Sequence, residues 1–283
     1  IDAITDSISK IPKTTILDRH IDAHHNRTVI TYVGSPASVL QSAFEAVLTA
    51  SILIDMEQHN GEHPRIGATD VVPFVPLYGT PMDTCVQMAI ELGYRVGVKL
   101  GIPSYLYEQA ATQYTRRNIA NIRRGGYEKL RDSISTNPKL FPDFGPKRLG
   151  SSGATAIGAR TPLVAFNVNL TTNDVLIAQN ISRTIRQSSG GLEGIKSIGI
   201  MVDGLAQVST NITDYTKTPV VEVVDAIRKE ATNSGVKIYH SEIVGLIPKD
   251  ALDNIERWHL PKNLDLSKYI LEQRIAELLQ PTL

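Results

Sequence analysis

LVAFNVNL, residues 163–170, opens the stretch of sequence that decides the fold. It is an apolar run of strand length, and the periodicity after it alternates between helix and strand. The segments that follow are a helix at 173–187, strands at 195–202 and 206–213, a helix at 220–234 and a strand at 237–245. Strand, helix, strand, strand, helix, strand is the split βαβ order of a ferredoxin-like sheet with helices on one face. The sequence therefore predicts an α+β fold for this part of the chain.

The preceding half shows a similar but incomplete order. A helix ends at Ser9, and strands at 15–17 and 28–33 enclose a polar turn. After them come a helix at 37–55, a strand at 71–76, a helix at 82–100, a strand at 104–107 and a helix at 116–135. This is the same plan with its opening strand absent, so either that strand lies upstream of Ile1 or another segment fills its place. Residues 138–153 lose all periodicity and predict a linker or a binding loop.

Length and composition set the organisation and exclude some classes of function. A chain of 283 residues with 42% hydrophobic and 20% charged residues predicts two compact units, 1–160 and 161–283, the second ending in an amphipathic helix at 264–279. The formal net charge is zero, so no overall basic field recruits nucleic acid or an anionic membrane. No apolar run reaches membrane-spanning length and the N-terminus Ile1-Asp2-Ala3 lacks a basic-then-apolar leader, so we expect a cytoplasmic protein. Cys85, the single cysteine, is predicted to be a buried apolar residue.

The stretch IDMEQHNGEHPRIGATDVVPFVP, residues 54–76, concentrates groups that transfer protons. His59 to His63 fits H-x-x-E-H, in which two histidines one helical turn apart bind zinc. Gly61 lies inside that turn and Pro64 follows it, and both disfavour the helix that zinc binding requires. Two other readings stay open, His63 as a metal-free acid and base, or both histidines as structural hydrogen-bonding groups.

Eight blocks in order carry a resemblance to the glutamate formimidoyltransferases, which are folate-dependent enzymes of histidine breakdown. The family includes stand-alone bacterial forms and the transferase half of formimidoyltransferase-cyclodeaminase. The blocks are HNRTV at 25–29, the 54–76 stretch, YLY at 105–107, PDFGP at 142–146, GATAIGAR at 153–160, AFNVNL at 165–170, QVSTN at 207–211 and SEIVGLIP at 241–248. Together they cover nearly the whole chain.

The resemblance implies two ferredoxin-like subdomains with the substrates bound between them, and a homodimer. The implied reaction moves a formimino group from N-formimino-L-glutamate to N5 of tetrahydrofolate, a co-substrate, without a metal. The family's opening V-P-N-F-S-type segment is not found before Ile1, which matches the strand that the first unit lacks. The cyclodeaminase half is also absent, so ring closure is not expected from this sequence.

The family's catalytic histidine, in G-E-H-P-R, falls on His63. An imidazole can take the proton that N5 loses and return one to the departing nitrogen, because its unperturbed pKa of about 6.5 leaves both forms populated at neutral pH. His59 would then have a structural role. Asp22, Glu62 and Asp70 are the nearby carboxylates that could assist. This assignment is open, because the chain has His20 where some relatives carry an aspartate.

Glutamate brings carboxylates to the site, and guanidinium groups suit them. Arg27, Arg65 and Arg160 lie inside the matching blocks, and each could instead hold loops together by an ion pair. Gln207, a candidate substrate-binding residue, and Asn211 could hydrogen-bond the edges of the pterin or simply satisfy backbone groups. The segment that the family uses for folate falls on Gly145, Pro146, Lys147, Arg148, Leu149, Gly150, Ser151, Ser152 and Gly153.

Three alternatives remain on the sequence alone. The donor could be another formimino compound, such as formiminoglycine. The chain could bind folate without turnover. The third is zinc hydrolysis through His59 and His63.

Overall fold

A computed structural model describes residues 1–23, 25–61 and 64–279 of the chain. Its internal contacts define two compact units. The first comprises Ile1–Ile16 and His25–Arg160, and the second comprises Leu17–His24 and Thr161–Leu283. Leu17 belongs with the second unit in part because its carbonyl accepts a hydrogen bond from Arg274 at 3.2 Å.

The chain up to Arg160 alternates helices and strands and forms two sheets. Its elements are α1 (Asp2–Ser9), β1 (Thr14–Asp22), β2 (Arg27–Gly34), α2 (Pro36–Leu53), β3 (Val71–Phe74), α3 (Met82–Lys99), β4 (Ser104–Glu108), α4 (Ile119–Ile122), α5 (Gly126–Ser133) and β5 (Thr155–Ala159). β1 pairs with β2, and β5 lies between β3 and β4 in a parallel sheet. In the split βαβ plan, β2 and β3 would flank the opening strand. Among the described residues they do not pair with each other.

β5 is the strand that the sequence analysis missed. Its sequence, TAIGA, is short, has no aromatic residue and contains alanine and glycine, which are depleted in strands. All five residues are buried, as expected for the central strand of a parallel sheet. Burial between β3 and β4 therefore outweighs a weak local preference.

The core of the first unit lies between α2, α3 and this parallel sheet. Its buried members include Phe44, Val47, Leu92, Val96, Leu106 and Ile157. Cys85 is in the same cluster at 3% exposure, which confirms the predicted burial, and burial raises the pKa of its thiol.

α2 is long and apolar enough, by length and composition alone, to cross a membrane. The expectation that no apolar run reaches that length was too strict for this helix. Ala43, Phe44 and Val47 of α2 belong to the core, and core helices pass the same test. One such helix is weak evidence for a membrane span.

The boundaries of three predicted elements were wrong. β1 runs on to Asp22, so the turn before β2 is shorter than expected. The helix predicted at 116–135 is divided, because Gly125 and Gly126 have φ of 88° and 70°. The terminal α-helix α8 spans only Leu271–Leu279. Before it, the Tyr269 carbonyl accepts from the Ile247 amide at 2.8 Å, and the Leu271 amide donates to the Ile247 carbonyl at 2.9 Å.

The second unit has the predicted split βαβ sheet, which confirms the α+β class. Its elements are β6 (Val164–Leu170), α6 (Val175–Ile185), β7 (Ile195–Val202), β8 (Leu205–Ile212), α7 (Val220–Asn233) and β9 (Ile238–Val244). The strand order is β7-β8-β6-β9 and every pair is antiparallel. Alternate residues such as Phe166 and Val168 pack against the helices, while their neighbours Asn167 and Asn169 face the other way.

Candidate functional site

The segment between α2 and β3, residues 54–70, forms neither helix nor strand in its described part, and we call it the 54–70 loop. Two of its glycines touch backbone. A Cβ on Gly61 would lie 2.5 Å from the His25 carbonyl oxygen, and one on Gly67 would lie 2.1 Å from the Ala154 oxygen. Because glycine has no Cβ, these two positions allow neighbouring segments of the chain to approach the loop closely.

His59 is held on both sides of its ring. Nε2 lies 3.0 Å from the Asn26 carbonyl oxygen, which can only accept, so this nitrogen carries the hydrogen. Arg65 donates from Nε to Nδ1 at 3.4 Å. A neutral ring protonated at Nε2 satisfies both contacts. Since both nitrogens are engaged by protein groups, this arrangement presents no free lone pair to a metal.

Arg65, predicted to bind substrate, also clamps the 54–70 loop. Its Nη1 and Nη2 donate to the two carboxylate oxygens of Glu128 on α5 at 3.1 and 2.8 Å. Nη2 further donates to the His59 carbonyl at 2.8 Å. The hydrogen bond from Arg65 is the main cause that lowers the pKa of Glu128. This geometry favours the loop-holding role, while substrate binding by Arg65 stays a prediction.

Asp70, another predicted substrate-binding residue, closes the end of the same loop. One carboxylate oxygen accepts from the Ile66 amide at 3.0 Å, and the other pairs with Arg123. The Asp70 side chain is 19% exposed and that of Arg123 is 20% exposed. An ion pair of this burial fixes the loop before it enters β3.

Residues 145–153, predicted to bind folate, lie directly against the 54–70 loop, and we call them the 145–153 loop. The Met56 amide donates to the Ser151 carbonyl at 2.7 Å, and the Ala68 amide donates to the Ser152 carbonyl at 2.9 Å. Gly67 and Gly153 form an isolated antiparallel bridge. The structure thus brings the predicted catalytic segment and the predicted folate segment together within the first unit.

Neighbouring groups contact the beginning of the 145–153 loop. Just before it, Asp143 accepts from Arg116 at 2.7 Å in a pair with side chains only 8% and 5% exposed. Gly145 has φ of 92°, and a Cβ there would lie 2.9 Å from the Ile102 oxygen. The Lys147 ammonium lies 3.6 Å from the centre of the Phe141 ring. Arg148 is exposed, so its guanidinium is open to solvent.

Asp22 and Arg27 each lie at the end of a strand. Asp22 is the last residue of β1 and Arg27 the first of β2, and both are half-buried. Arg160 follows β5, where its amide donates to the Phe74 carbonyl at 3.1 Å. Its guanidinium is near Tyr107, whose pKa burial raises to about 12 against the opposing effect of Arg160.

Glu62 and His63 lie outside the described residues, so the predicted catalytic histidine is not placed. In residues 1–23, 25–61 and 64–279, no group of three or more His, Cys, Asp or Glu residues could hold a metal ion. The prediction of a metal-free reaction stays a prediction.

Gln207, predicted to bind substrate, is on β8 of the second unit and is 1% exposed. Its side-chain nitrogen donates to Asn169 at 3.1 Å and to Glu242 at 3.3 Å. The polar residues around it were not predicted from the sequence as site residues.

Sequence reasoning also missed partners in the first unit. Arg123 and Glu128, which the sequence did not mark as site residues, pair with Asp70 and Arg65, which are 53 and 63 positions away in sequence. Glu57 likewise accepts from Tyr127 at 2.6 Å and from Arg131 at 2.8 Å. Complementary charge was the only signal, and it does not say which residues meet.

Fold and site together define a two-unit α+β protein whose polar loops gather beside a parallel sheet. Residues 1–160 match the family described as "Formiminotransferase domain, N-terminal subdomain", and residues 165–280 match "Formiminotransferase domain". The chain therefore belongs to the formiminotransferase family.

Known relatives resemble the chain over nearly all its length. "Glutamate formimidoyltransferase" of Thermoplasma acidophilum is 43% identical over 98% of this chain and 92% of the relative. The protein of the same name from Streptococcus pyogenes is 40% identical over 97% of this chain and 93% of the relative. "Formimidoyltransferase-cyclodeaminase" of Gallus gallus is 39% identical over 96% of this chain, which spans 51% of that longer protein.

Proposed function

We propose that the chain transfers the formimino group of N-formimino-L-glutamate to N5 of tetrahydrofolate, releasing glutamate and 5-formimidoyltetrahydrofolate. The observation that carries this proposal is the identity of 43% and 40% to two proteins named glutamate formimidoyltransferase. Each match covers more than nine tenths of both chains. The contact between the 54–70 loop and the 145–153 loop supports it, since catalysis and folate binding are expected from these two segments.

In the proposed reaction, N5 attacks the amidine carbon and forms a tetrahedral adduct. His63 takes the proton that N5 loses and gives one to the glutamate nitrogen as the carbon–nitrogen bond breaks. The described residues on either side of this position are tied down. The Asn60 carbonyl accepts from Asn26 at 2.7 Å, and Arg65 is bound to Glu128. These contacts anchor the described residues that precede and follow the proposed base.

Substrate contacts are proposed for Asp22, Arg27, Glu62, Arg65, Asp70 and Gln207. Folate contacts are proposed for the 145–153 loop, where exposed Lys147 and Arg148 provide positive charge for the carboxylates of the folate tail. We further propose a cytoplasmic homodimer that uses tetrahydrofolate as co-substrate, needs no metal, and binds neither nucleic acid nor membrane. Formal neutrality supports the last point.

Initial rates with N-formimino-L-glutamate and with N-formimino-glycine, each with tetrahydrofolate, test the proposal. We expect the glutamate donor to have the higher kcat/KM, and treatment with a chelator to leave the rate unchanged. Tetrahydrofolate binding without turnover of either donor would contradict the transferase. A preference for the glycine donor would contradict the donor assignment. Loss of activity with chelator and recovery with zinc would contradict the metal-free mechanism.

A further inference from the structure

A polar layer, whose members are buried or half-buried, covers the face of the second sheet that points away from α6 and α7. It consists of Asn167 and Asn169 on β6, Gln207 on β8, and His240 and Glu242 on β9. Asn169 is directly opposite Gln207 on one side and His240 on the other, and Asn167 is opposite Glu242. Asn167, Asn169 and Gln207 are 4%, 5% and 1% exposed. Polar groups so deeply buried normally find hydrogen-bond partners.

One chain of hydrogen bonds joins the layer. Glu242 Oε1 accepts from Asn167 Nδ2 at 2.8 Å and from Gln207 Nε2 at 3.3 Å. Gln207 Nε2 also donates to Asn169 Oδ1 at 3.1 Å, and Asn169 Nδ2 lies 3.0 Å from His240 Nε2. Both hydrogens of the Gln207 amide nitrogen are therefore used.

Glu242 determines the orientation of the Gln207 side-chain amide in this series of hydrogen bonds. Nitrogen and oxygen of an amide are assigned from their partners, so the reversed orientation of Gln207 must be considered. Reversal would place the Gln207 oxygen against a Glu242 oxygen. An ionised carboxylate only accepts hydrogen bonds, so that contact would be repulsive whatever the orientation of Asn169. The Glu242 carboxylate thus holds Gln207 in the orientation in which its side-chain nitrogen faces Glu242 and Asn169.

The remaining atom, Gln207 Oε1, is buried and has no hydrogen-bond partner among the described residues. A buried carbonyl oxygen without a partner is unfavourable, and such an atom needs an explanation in a ligand or a water molecule. Within the same described part of the chain, Ser241 Oγ is also buried and has no hydrogen-bond partner. Ser241 alternates with Glu242 along β9, so its hydroxyl is on the helix-facing side and serves as a comparison.

We propose that Gln207 Oε1 accepts a hydrogen bond from an N–H group of a substrate, and that Glu242 positions Gln207 to do so. This rests on the proposed function and narrows the role predicted for Gln207. Carboxylates of glutamate and of folate have no N–H to offer, and Glu242 beside this oxygen repels them. The groups that fit are the amidine of the formimino donor and the N–H edge of the tetrahydrofolate ring.

Gln207→Met tests the proposal, because it keeps the length of the side chain and removes the oxygen. Calorimetry gives Kd for tetrahydrofolate without the donor, and initial rates give KM for N-formimino-L-glutamate. Loss of one hydrogen bond is expected to raise one of these constants about 5- to 10-fold. A rise in Kd identifies the ring of tetrahydrofolate as the partner, and a rise in KM alone identifies the amidine. A purely structural role would lower the melting temperature without such selectivity.

Two further variants keep the proposal falsifiable. Ser241→Ala removes the comparison oxygen and is expected to leave both constants unchanged. Glu242→Gln removes the charge that orients Gln207, so it is expected to weaken the same ligand; it decides the question if Gln207→Met does not fold. Unchanged constants in a folded Gln207→Met variant, or in Glu242→Gln, would overturn the proposal and leave a buried water as the partner. A wild-type protein that binds tetrahydrofolate without turnover would overturn the proposed function only, and one that binds neither compound would overturn both.

Discussion

Arg65 has two possible roles, holding the 54–70 loop and binding substrate, and mutations can distinguish them. The clamp needs both Arg65 and Glu128, whereas a substrate carboxylate would need only the guanidinium. We predict that Arg65→Lys and Glu128→Gln each lower kcat several-fold, because an ammonium cannot form the paired contact and a neutral amide weakens it. Steady-state kinetics with the formimino donor measure this. A large rise in donor KM with Arg65→Lys, and none with Glu128→Gln, would instead support substrate binding.

His63 carries the second prediction at the scale of single residues. His63→Ala is expected to lower kcat about 10²–10⁴-fold, the usual contribution of general acid–base catalysis. His59→Ala is expected to lower kcat less than His63→Ala does. The His59 ring contacts Arg65 and Asn26, so its expected role is to hold the loop rather than to transfer a proton. His259→Ala, in the second unit, is the control and should retain normal turnover. A loss of less than about tenfold in His63→Ala would refute the assignment.

At the scale of elements, the contact between the 54–70 and 145–153 loops depends on glycine. Gly153 has φ of 72°, and a Cβ there would lie 2.4 Å from the Ile66 oxygen. Gly153→Ala is therefore predicted to lower the free energy of unfolding by about 1–3 kcal/mol. Gly150, in the same loop, has nothing within 4 Å of an added Cβ. Gly150→Ala should change stability by less than about 0.5 kcal/mol in denaturant titrations, and equal losses in both variants would contradict the steric argument.

α5 is tied to the 54–70 loop through Tyr127, whose hydroxyl donates to Glu57. Burial and this hydrogen bond raise the pKa of Tyr127 from 10.0 to about 12. Between these values the unfolded chain has lost a proton that the folded chain keeps. Stability from this group is therefore complete below pH 10 and declines as pH rises towards 12, by roughly 1.4 kcal/mol per pH unit.

Tyr127→Phe removes that titration. Denaturant titrations from pH 8 to pH 11 should show a shallower alkaline decline in the variant than in the wild type. Tyr107, also raised to about 12, keeps its own contribution in both proteins and so cancels from the comparison. Parallel curves would show that Tyr127 titrates alike in the folded and unfolded chains.

Element positions were largely predictable where periodicity was strong. α3 and β7 begin at their predicted residues, because long apolar stripes and alternating residues mark them. β5 was missed because its burial comes from neighbours distant in sequence. The same holds for Glu128 and Arg123, whose partners are set by packing. The site residues named from the family blocks stay predictions.

At the scale of the whole molecule, the resemblance to the family predicts a homodimer. Light scattering after size exclusion should give twice the mass of one chain at micromolar concentration. The Glu242→Gln and Gly150→Ala variants should be measured alongside and are expected to have the same mass as the wild type. A single-chain mass at all concentrations would refute the dimer.

The sequence by itself determined the α+β class, the split βαβ order of the second unit and the membership of the family, because periodicity and ordered motifs are local properties of the chain. Only the tertiary structure decided that β5 lies between β3 and β4, that Arg65 clamps onto Glu128, and that Glu242 orients Gln207. Each of these depends on which distant residues burial brings within hydrogen-bonding distance, and no local pattern records that choice.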